Sequence, residues 1–370
     1  MDDVTADEWR TGEQMNCAMY KSKWRNSWRK ISIAILVTLF LLFLLPWNTV
    51  ISDWRQSTKE TLHCFHLTGN MVPELNEEDP QLGSCIYFHE TSCPKDMSDI
   101  SLNPRQACSV ESALRAHPNT DVYLLISSPI FVQLSETQNR LVQELLTFPN
   151  FKLRHINFSR YLSKTPLEKI HSTGALNGSK WPVSHSSDVL RYATLYKFGG
   201  IYLDLDVIVL RPLMKLKNFA GAESNTSVGS GILGFAYDNI GREFAKECAN
   251  ELASTYDGKI WGFNGPGVIT RVLGRKCQTT NISQMVGRYC RGFHVYPTSY
   301  FAAFSYNEPE FFFHEGNTKK AREILNKSYA IHYWNKLSSK FVLNKTADIP
   351  FLKYAQNYCP RVYEVADGNF

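Results

Sequence analysis

From Ile31 to Ile51 the chain runs 21 residues without a charge, and only Ser32 and Thr38 interrupt the apolar run to Leu45. A helix needs about 20 such residues to cross the hydrocarbon core of a bilayer. Lys21, Lys23, Arg25, Arg29 and Lys30 crowd its N-terminal side, whereas only Arg55 and Lys59 follow it closely. That asymmetry predicts an N-terminus in the cytosol and a lumenal body. No small-x-small cleavage pattern follows the run, so it reads as an uncleaved signal-anchor rather than a removed signal peptide. Residues 52–80 show no apolar period and end in Glu74, Glu77, Glu78, Asp79 and Pro80, which suits a polar stem. The expected organisation is a tail over 1–30, an anchor over 31–51, a stem over 52–80 and a folded body over 81–365.

Within the body, apolar runs alternate between the strand and the helix period. Cys85–His89 and Asp121–Ser127 read as buried strands, and Phe151–Phe158 alternates like a third. Cys108–His117, after the Asn103-Pro104 break, and Glu136–Leu146 read as helices. A polar-headed helix through Ser186, Asp188 and Arg191 then meets Gly199-Gly200, a natural stop because glycine tolerates the left-handed backbone of many C-caps. Ile201-Tyr202-Leu203 follows as a short buried strand. Alternating strands and helices with continuous apolar strands predict an α/β fold with a mainly parallel sheet covered by helices. No internal repeat is present.

Asp204 and Asp206 close that strand. Two apart, they point to one side if the chain stays extended. An isolated Asp-x-Asp is usually a solvated turn, but here Ile201–Leu203 and Val207–Leu210 flank it with apolar residues. That context fits the carboxyl end of a sheet strand, where open α/β folds bind ligands. Two carboxylates there are costly unpaired, and a divalent cation satisfies both.

The formal charge of +5 is mild, with no basic block outside the membrane flank, so no nucleic-acid partner is implied. Of nine cysteines only Cys17 precedes the anchor. The even set of eight left behind it suits a disulfide framework of undetermined pairing. Six N-x-S/T acceptors, at Asn157, Asn177, Asn225, Asn281, Asn326 and Asn344, also fall after the anchor.

The string Ser187-Asp188-x-x-Arg191…Gly199-Gly200-Ile201-Tyr202-Leu203-Asp204-x-Asp206 resembles the signature of retaining glycosyltransferases that use a nucleotide sugar. Cys108–Ala113, Ile260–Pro266 and Ala330–Lys336 extend the resemblance to the family of lactosylceramide 4-α-galactosyltransferase and α-1,4-N-acetylglucosaminyltransferase, over about residues 85–360. The resemblance implies a glycosyltransferase A-type, Rossmann-like fold and an enzyme of the Golgi membrane. It implies Mn²⁺ and, as donor, UDP-galactose or UDP-N-acetylgalactosamine, with UDP-N-acetylglucosamine third. A glycosphingolipid is the implied acceptor; homo-oligomers or complexes with other Golgi enzymes stay open.

Roles follow from the same resemblance. Asp206 is the expected direct metal ligand. Asp204 reaches the metal or the ribose and sugar hydroxyls, and His332 adds an imidazole. Asp188 and Arg191 are expected on the donor, Gly200 and Tyr202 in the donor-binding set, and Lys336 on the β-phosphate. Asn264, in a glycine-rich segment, is the candidate facing the anomeric carbon, and Ser230–Phe235 the strand lining the sugar. No carboxylate in these motifs stands out as a covalent nucleophile, so front-face substitution is favoured. Two rivals remain. Leu203–Ile208 also fits an aspartyl-phosphatase strand, but the later acidic pair that class needs is missing, Asp2-Asp3 being the one adjacent Asp pair. A lumenal sugar-binding relative without turnover would keep the same motifs.

Overall fold

A computed structural model describes residues 62–67, 69–94, 99–367 and 370. The tail and the anchor expected over 1–30 and 31–51 lie outside them. Among the described residues no helix is long and apolar enough to cross a membrane.

Among the described residues ten strands form two sheets: β1 (Ile86–Glu90), β2 (Val122–Ile126), β3 (Phe151–His155), β4 (Gly200–Leu203), β5 (Val207–Val209), β6 (Phe219–Ala222), β7 (Val228–Phe235), β8 (Tyr289–Cys290), β9 (Phe293–Tyr296) and β10 (Ala330–His332). The main sheet runs β3-β2-β1-β4-β7-β6-β9-β8, while β5 and β10 pair apart from it. β3, β2, β1 and β4 are parallel neighbours, as the alternating pattern predicts. Beyond β4 the sheet is mixed, because β7 runs antiparallel to both β4 and β6.

The helices named below are α1 (Pro104–Ala116), α2 (Arg140–Leu146), α3 (Pro182–Phe198), α4 (Asn239–Thr255), α5 (Pro266–Cys277), α6 (Thr318–Ile324), α7 (Pro350–Tyr358) and α8 (Pro360–Val365). Strand alternation sorts the core into two layers. Ile86, Phe88, Val122 and Leu124 face one side, where α1, α7 and α8 pack. Tyr87, Tyr123, Leu125 and Tyr202 face the other, under α3, α4 and α5.

Local chemistry sets the ends of these elements. Asn103 and Gln106 form a reciprocal cap at the start of α1, so that helix begins four residues before Cys108. The extended reading of Phe151–Phe158 stops at His155, because Asn157 caps a new helical turn at Phe158. Gly199 and Gly200 both have positive φ, and a Cβ at Gly200 would lie 2.4 Å from Cys85 O. The expected spacer over 52–80 is, from Leu62, packed chain instead. Leu62, Val72 and Leu75 are buried, Leu75 N donates to His155 O, and Cys64 is bonded to Cys93. A few anchored apolar side chains suffice to dock a polar segment, and such spacing leaves no periodic trace.

The other disulfides are Cys108–Cys359, joining α1 to the C-terminal helices, and Cys277–Cys290. Cys85 and Cys248 stand outside the expected framework as buried thiols, and burial pushes both above the ordinary thiol range. Asn177, Asn225, Asn281, Asn326 and Asn344 are exposed and Asn157 is half-buried.

Candidate active site

The strand that carries the paired carboxylates ends at Leu203, and Asp204-Leu205-Asp206 is a turn between β4 and β5 rather than extended chain. Its backbone is held from three directions. Asp204 N donates to Gly231 O of β7 at 2.8 Å. Leu205 O accepts from Ser109 Oγ of α1 (3.0 Å) and from Tyr333 OH (3.1 Å). Tyr333 N donates to Asp206 O at 3.1 Å. Ser112 Oγ accepts from Val209 N one turn further along α1. The Cys108–Ala113 segment thus earns its place in the motif set by gripping this turn. Glu111, facing the opposite way, accepts from Arg361 N and Val362 N at the start of α8.

The turn brings three expected ligands together. One atom each from Asp204, Asp206 and His332 all lie within 4.8 Å of one another. His332 Nε2 is 3.0 Å from Asp206 Oδ1, while Asp206 Oδ2 accepts from Asn335 N at 2.8 Å. The His332 ring packs on Trp334, centroids 3.8 Å apart, and Trp334 Nε1 donates to Phe304 O. Burial disfavours the Asp206 carboxylate, but the facing His332 and the Asn335 N–H more than offset it, so its pKa lies below the usual range. Burial likewise opposes the His332 imidazolium, and Asp206, Asp204 and Glu223 outweigh it, so its pKa is raised. Two carboxylates and an imidazole are a donor set that suits Mn²⁺, with hard oxygens and one borderline nitrogen.

Beneath this triad lies a sealed charge cluster. Arg191 and Asp188 of α3 pair at 3.2 Å, with side chains 6% and 10% exposed, so this is no surface ion pair. Arg191 Nη2 also reaches Asp204 Oδ1 at 3.0 Å, and Nη1 donates to Ser230 O and Ser230 Oγ. Tyr202 OH donates to the same Asp204 oxygen at 2.6 Å, under the Arg191 guanidinium. Burial opposes the charge on Arg191, yet Asp204, Tyr202 and Asp188 raise its pKa above even the usual arginine value. Burial pushes Asp188 up to about 7, Arg191 pulling it down and Asp204 pushing it further up.

These placements correct several expected roles. Arg191 and Asp188 are buried together on α3, and Arg191 orients Asp204 from behind. Tyr202 spends its hydroxyl on Asp204 and Ser187. Gly200 stands at the opposite end of β4 from the carboxylates, where it admits Cys85 O, so it serves the strand and not a ligand. Asn264 is fully buried. Its amide donates to Asp257 O and accepts from Asp257 N, closing the loop before α5 instead of facing a substrate. Its neighbour Gly265 comes closest to the cluster: a Cβ there would lie 2.3 Å from Asp188 Oδ1. Lys336 is exposed on the one-turn helix Asn335–Ser338, next to the residue that caps Asp206, with Nζ 6.0 Å from the Trp261 ring centre.

One residue of the site carries no sequence motif. Glu223, just past β6, lines a small cavity together with His332, Trp334, Phe301, Gly229 and Gly231. Burial pushes its pKa above the usual range, with His332 pulling it back. The available signal was the spacing of Gly221, Gly229 and Gly231, which marks where two strands leave room for a ligand.

Residues 103–224, which carry the carboxylate turn, match the glycosyltransferase sugar-binding region containing a DXD motif. The carboxylate turn therefore belongs to the DXD-motif glycosyltransferases. Residues 237–366, which carry His332, match the α-1,4-glycosyltransferase conserved region. The chain is 31% identical over 278 residues to lactosylceramide 4-α-galactosyltransferase of Mus musculus, covering 75% of each chain. It is 29% identical over 332 residues to the Homo sapiens protein of that name, covering 90% of this chain and 91% of the other. Against α-1,4-N-acetylglucosaminyltransferase of Homo sapiens it is 28% identical over 268 residues, covering 70% and 74%. The chain belongs to the α-1,4-glycosyltransferase family.

Proposed function

We propose that this chain is a retaining α-1,4-hexosyltransferase that moves galactose or N-acetylgalactosamine from a UDP-sugar to the terminal sugar of a glycosphingolipid. The observation that carries the reading is the convergence of Asp204, Asp206 and His332 within 4.8 Å at the carboxyl end of β4, in a chain of this family. Its relatives named lactosylceramide 4-α-galactosyltransferase support the galactosyl and glycolipid parts. The similar identity to α-1,4-N-acetylglucosaminyltransferase supports a second reading, transfer of N-acetylglucosamine to glycoprotein glycans. The uncharged run over 31–51 with its basic N-terminal flank supports a type II anchor in the Golgi membrane, with the transferase body in the lumen.

In this reading Asp204, Asp206 and His332 hold Mn²⁺, which when bound supplies Lewis-acid stabilisation of the departing nucleoside diphosphate. Arg191 and Tyr202 fix one oxygen of Asp204, so its other oxygen, on the Gly231 side, faces the ligand. The Asn335 N–H and the Trp334 ring do the same for Asp206 and His332. Such outer partners set ligand orientation and affinity. The reaction follows the front-face course, in which the leaving phosphate takes the acceptor proton.

The test is UDP release by the purified full chain, offered each UDP-sugar with Mn²⁺ and a lactosyl or N-acetylgalactosaminyl acceptor, with Asp206→Ala beside it. Acceptor-dependent release that disappears in the variant is expected. A wild type that binds UDP and Mn²⁺ but transfers nothing would favour a sugar-binding protein instead.

A further inference from the structure

Glycines leave one side of β7 bare next to the metal-ligand triad. A Cβ at Gly231 would lie 2.7 Å from Asp204 Oδ2 and 2.9 Å from His332 Cε1. A Cβ at Gly229, two residues back, would instead meet Glu223, 3.5 Å from its Cβ and 3.8 Å from Oε2. Two strand positions span roughly 6.6 Å. Glu223 therefore stands about one sugar ring from the triad, across a shared cavity walled by Phe301 and Trp334.

The carboxylates around this space differ in what they have left to offer. Asp204 is engaged by Arg191 and Tyr202, and Asp206 by His332 and Asn335. Glu223 is outside the group that could hold a metal. Among the described residues its carboxylate has one long hydrogen bond, from Ser227 Oγ at 3.4 Å. Its backbone is pinned by the pairing of Glu223 N with Ser227 O, so the carboxylate is held at the cavity wall with acceptor capacity to spare. A half-buried carboxylate in that state is costly until a donor group reaches it. The donor substrate is already oriented through its diphosphate at the triad. The acceptor has no phosphate and needs an orienting group of its own.

We propose that Glu223 is an acceptor-binding residue, taking a hydrogen bond from a hydroxyl of the acceptor's terminal sugar over the Gly229–Gly231 floor. The assignment rests on the transferase reading above. It is tested with the full chain and its Glu223→Gln and Glu223→Ala forms, measuring acceptor KM, acceptor-independent hydrolysis of UDP-sugar, and UDP affinity with Mn²⁺. Acceptor KM is expected to rise about 10- to 100-fold in Glu223→Ala, and less in Glu223→Gln, as for loss of a hydrogen bond to a charged group. Hydrolysis and UDP affinity are expected to change much less than the acceptor KM, since neither involves the acceptor. An unchanged acceptor KM would overturn the proposal, as would equal loss of hydrolysis and transfer in Glu223→Gln, which would place the residue on the donor. If the wild type transfers to no acceptor, the transferase reading fails on its own, and saturation-transfer NMR with methyl β-lactoside reads the subsite directly. Contact in the wild type that is lost in Glu223→Ala supports it. Equal contact in both, or none in the wild type, overturns it.

Discussion

The two sides of the Asp204–Asp206 turn are built on opposite terms. On the α3 side, Arg191 lies in a closed cluster with Asp188, Asp204, Tyr202 and Ser230, and water is nearly excluded. On the β7 side, Gly229 and Gly231 leave that strand bare, and a cavity opens between His332 and Glu223. The first side spends strong charge-assisted hydrogen bonds on fixing the backs of the ligands, and the second keeps their faces clear. A site that must bind two substrates in register needs both, because ligand atoms held loosely cannot orient what they bind.

Removing the counter-charge breaks the closed side most severely. Arg191→Met leaves Asp188 and Asp204 buried against each other, and a loss of about 3–5 kcal/mol in urea denaturation is expected. Arg191→Lys, which keeps the charge but not the fork, is expected to recover only part. Wild-type stability in Arg191→Met would mean that the cluster is not what holds the turn.

The open side is probed by a paired substitution on β7. Gly231→Ala places a methyl 2.7 Å from Asp204 Oδ2 and 2.9 Å from His332. The two ligands must separate, and Mn²⁺ affinity is expected to fall at least about tenfold, as it does when the groups around metal ligands are disturbed. At Gly229 the nearest atom is 3.5 Å away, so Gly229→Ala should leave Mn²⁺ affinity intact. A Mn²⁺ titration that treats the two alike would contradict the geometry.

Tyr202→Phe removes a single hydrogen bond from Asp204. A cost of about 1 kcal/mol in denaturation is expected, with Mn²⁺ binding weakened while Arg191 still holds the carboxylate.

The closed side also carries a pH dependence. Burial raises Asp188 to about 7 in the fold, against about 3.9 unfolded. The folded state therefore binds this proton more tightly than the unfolded chain. The stability it contributes is full below about pH 4, declines as pH rises, and is gone above about 7. Asp188→Asn should come close to the wild type in thermal unfolding near pH 4 and exceed it at pH 8. Parallel curves across that window would remove Asp188 from the closed cluster's energetics.

Much of the closed side was legible in the sequence, because local rules write it. Asp188 and Arg191 share a helix face, Gly199-Gly200 stop the helix, and Asp204 and Asp206 end an apolar strand. What those rules could not give was direction. Arg191 points at Asp204 because α3 packs against β4, a tertiary fact that helix spacing does not carry. Asn264 misled for a related reason: a buried amide in a glycine-rich loop can satisfy its own loop's backbone as well as a substrate. Glu223 was hard to see because its position depends on β6 and β7 meeting across a glycine floor, of which the sequence carries only the spacing of Gly221, Gly229 and Gly231. The strands themselves read well where apolar runs are continuous, as in β1 and β2. The two-residue β8 and the short strands β6 and β9 left no periodic signal.

The most direct measurement is a Mn²⁺ titration of the purified full chain, followed by electron paramagnetic resonance, with and without UDP. Wild type should take up one Mn²⁺ more tightly when UDP is present, and Asp206→Ala and His332→Ala should each abolish that uptake without unfolding the protein. Mn²⁺ that stays free in the presence of UDP, or is bound equally well by the Asp206→Ala protein, would contradict the claim that Asp204, Asp206 and His332 form the metal site of a nucleotide-sugar transferase.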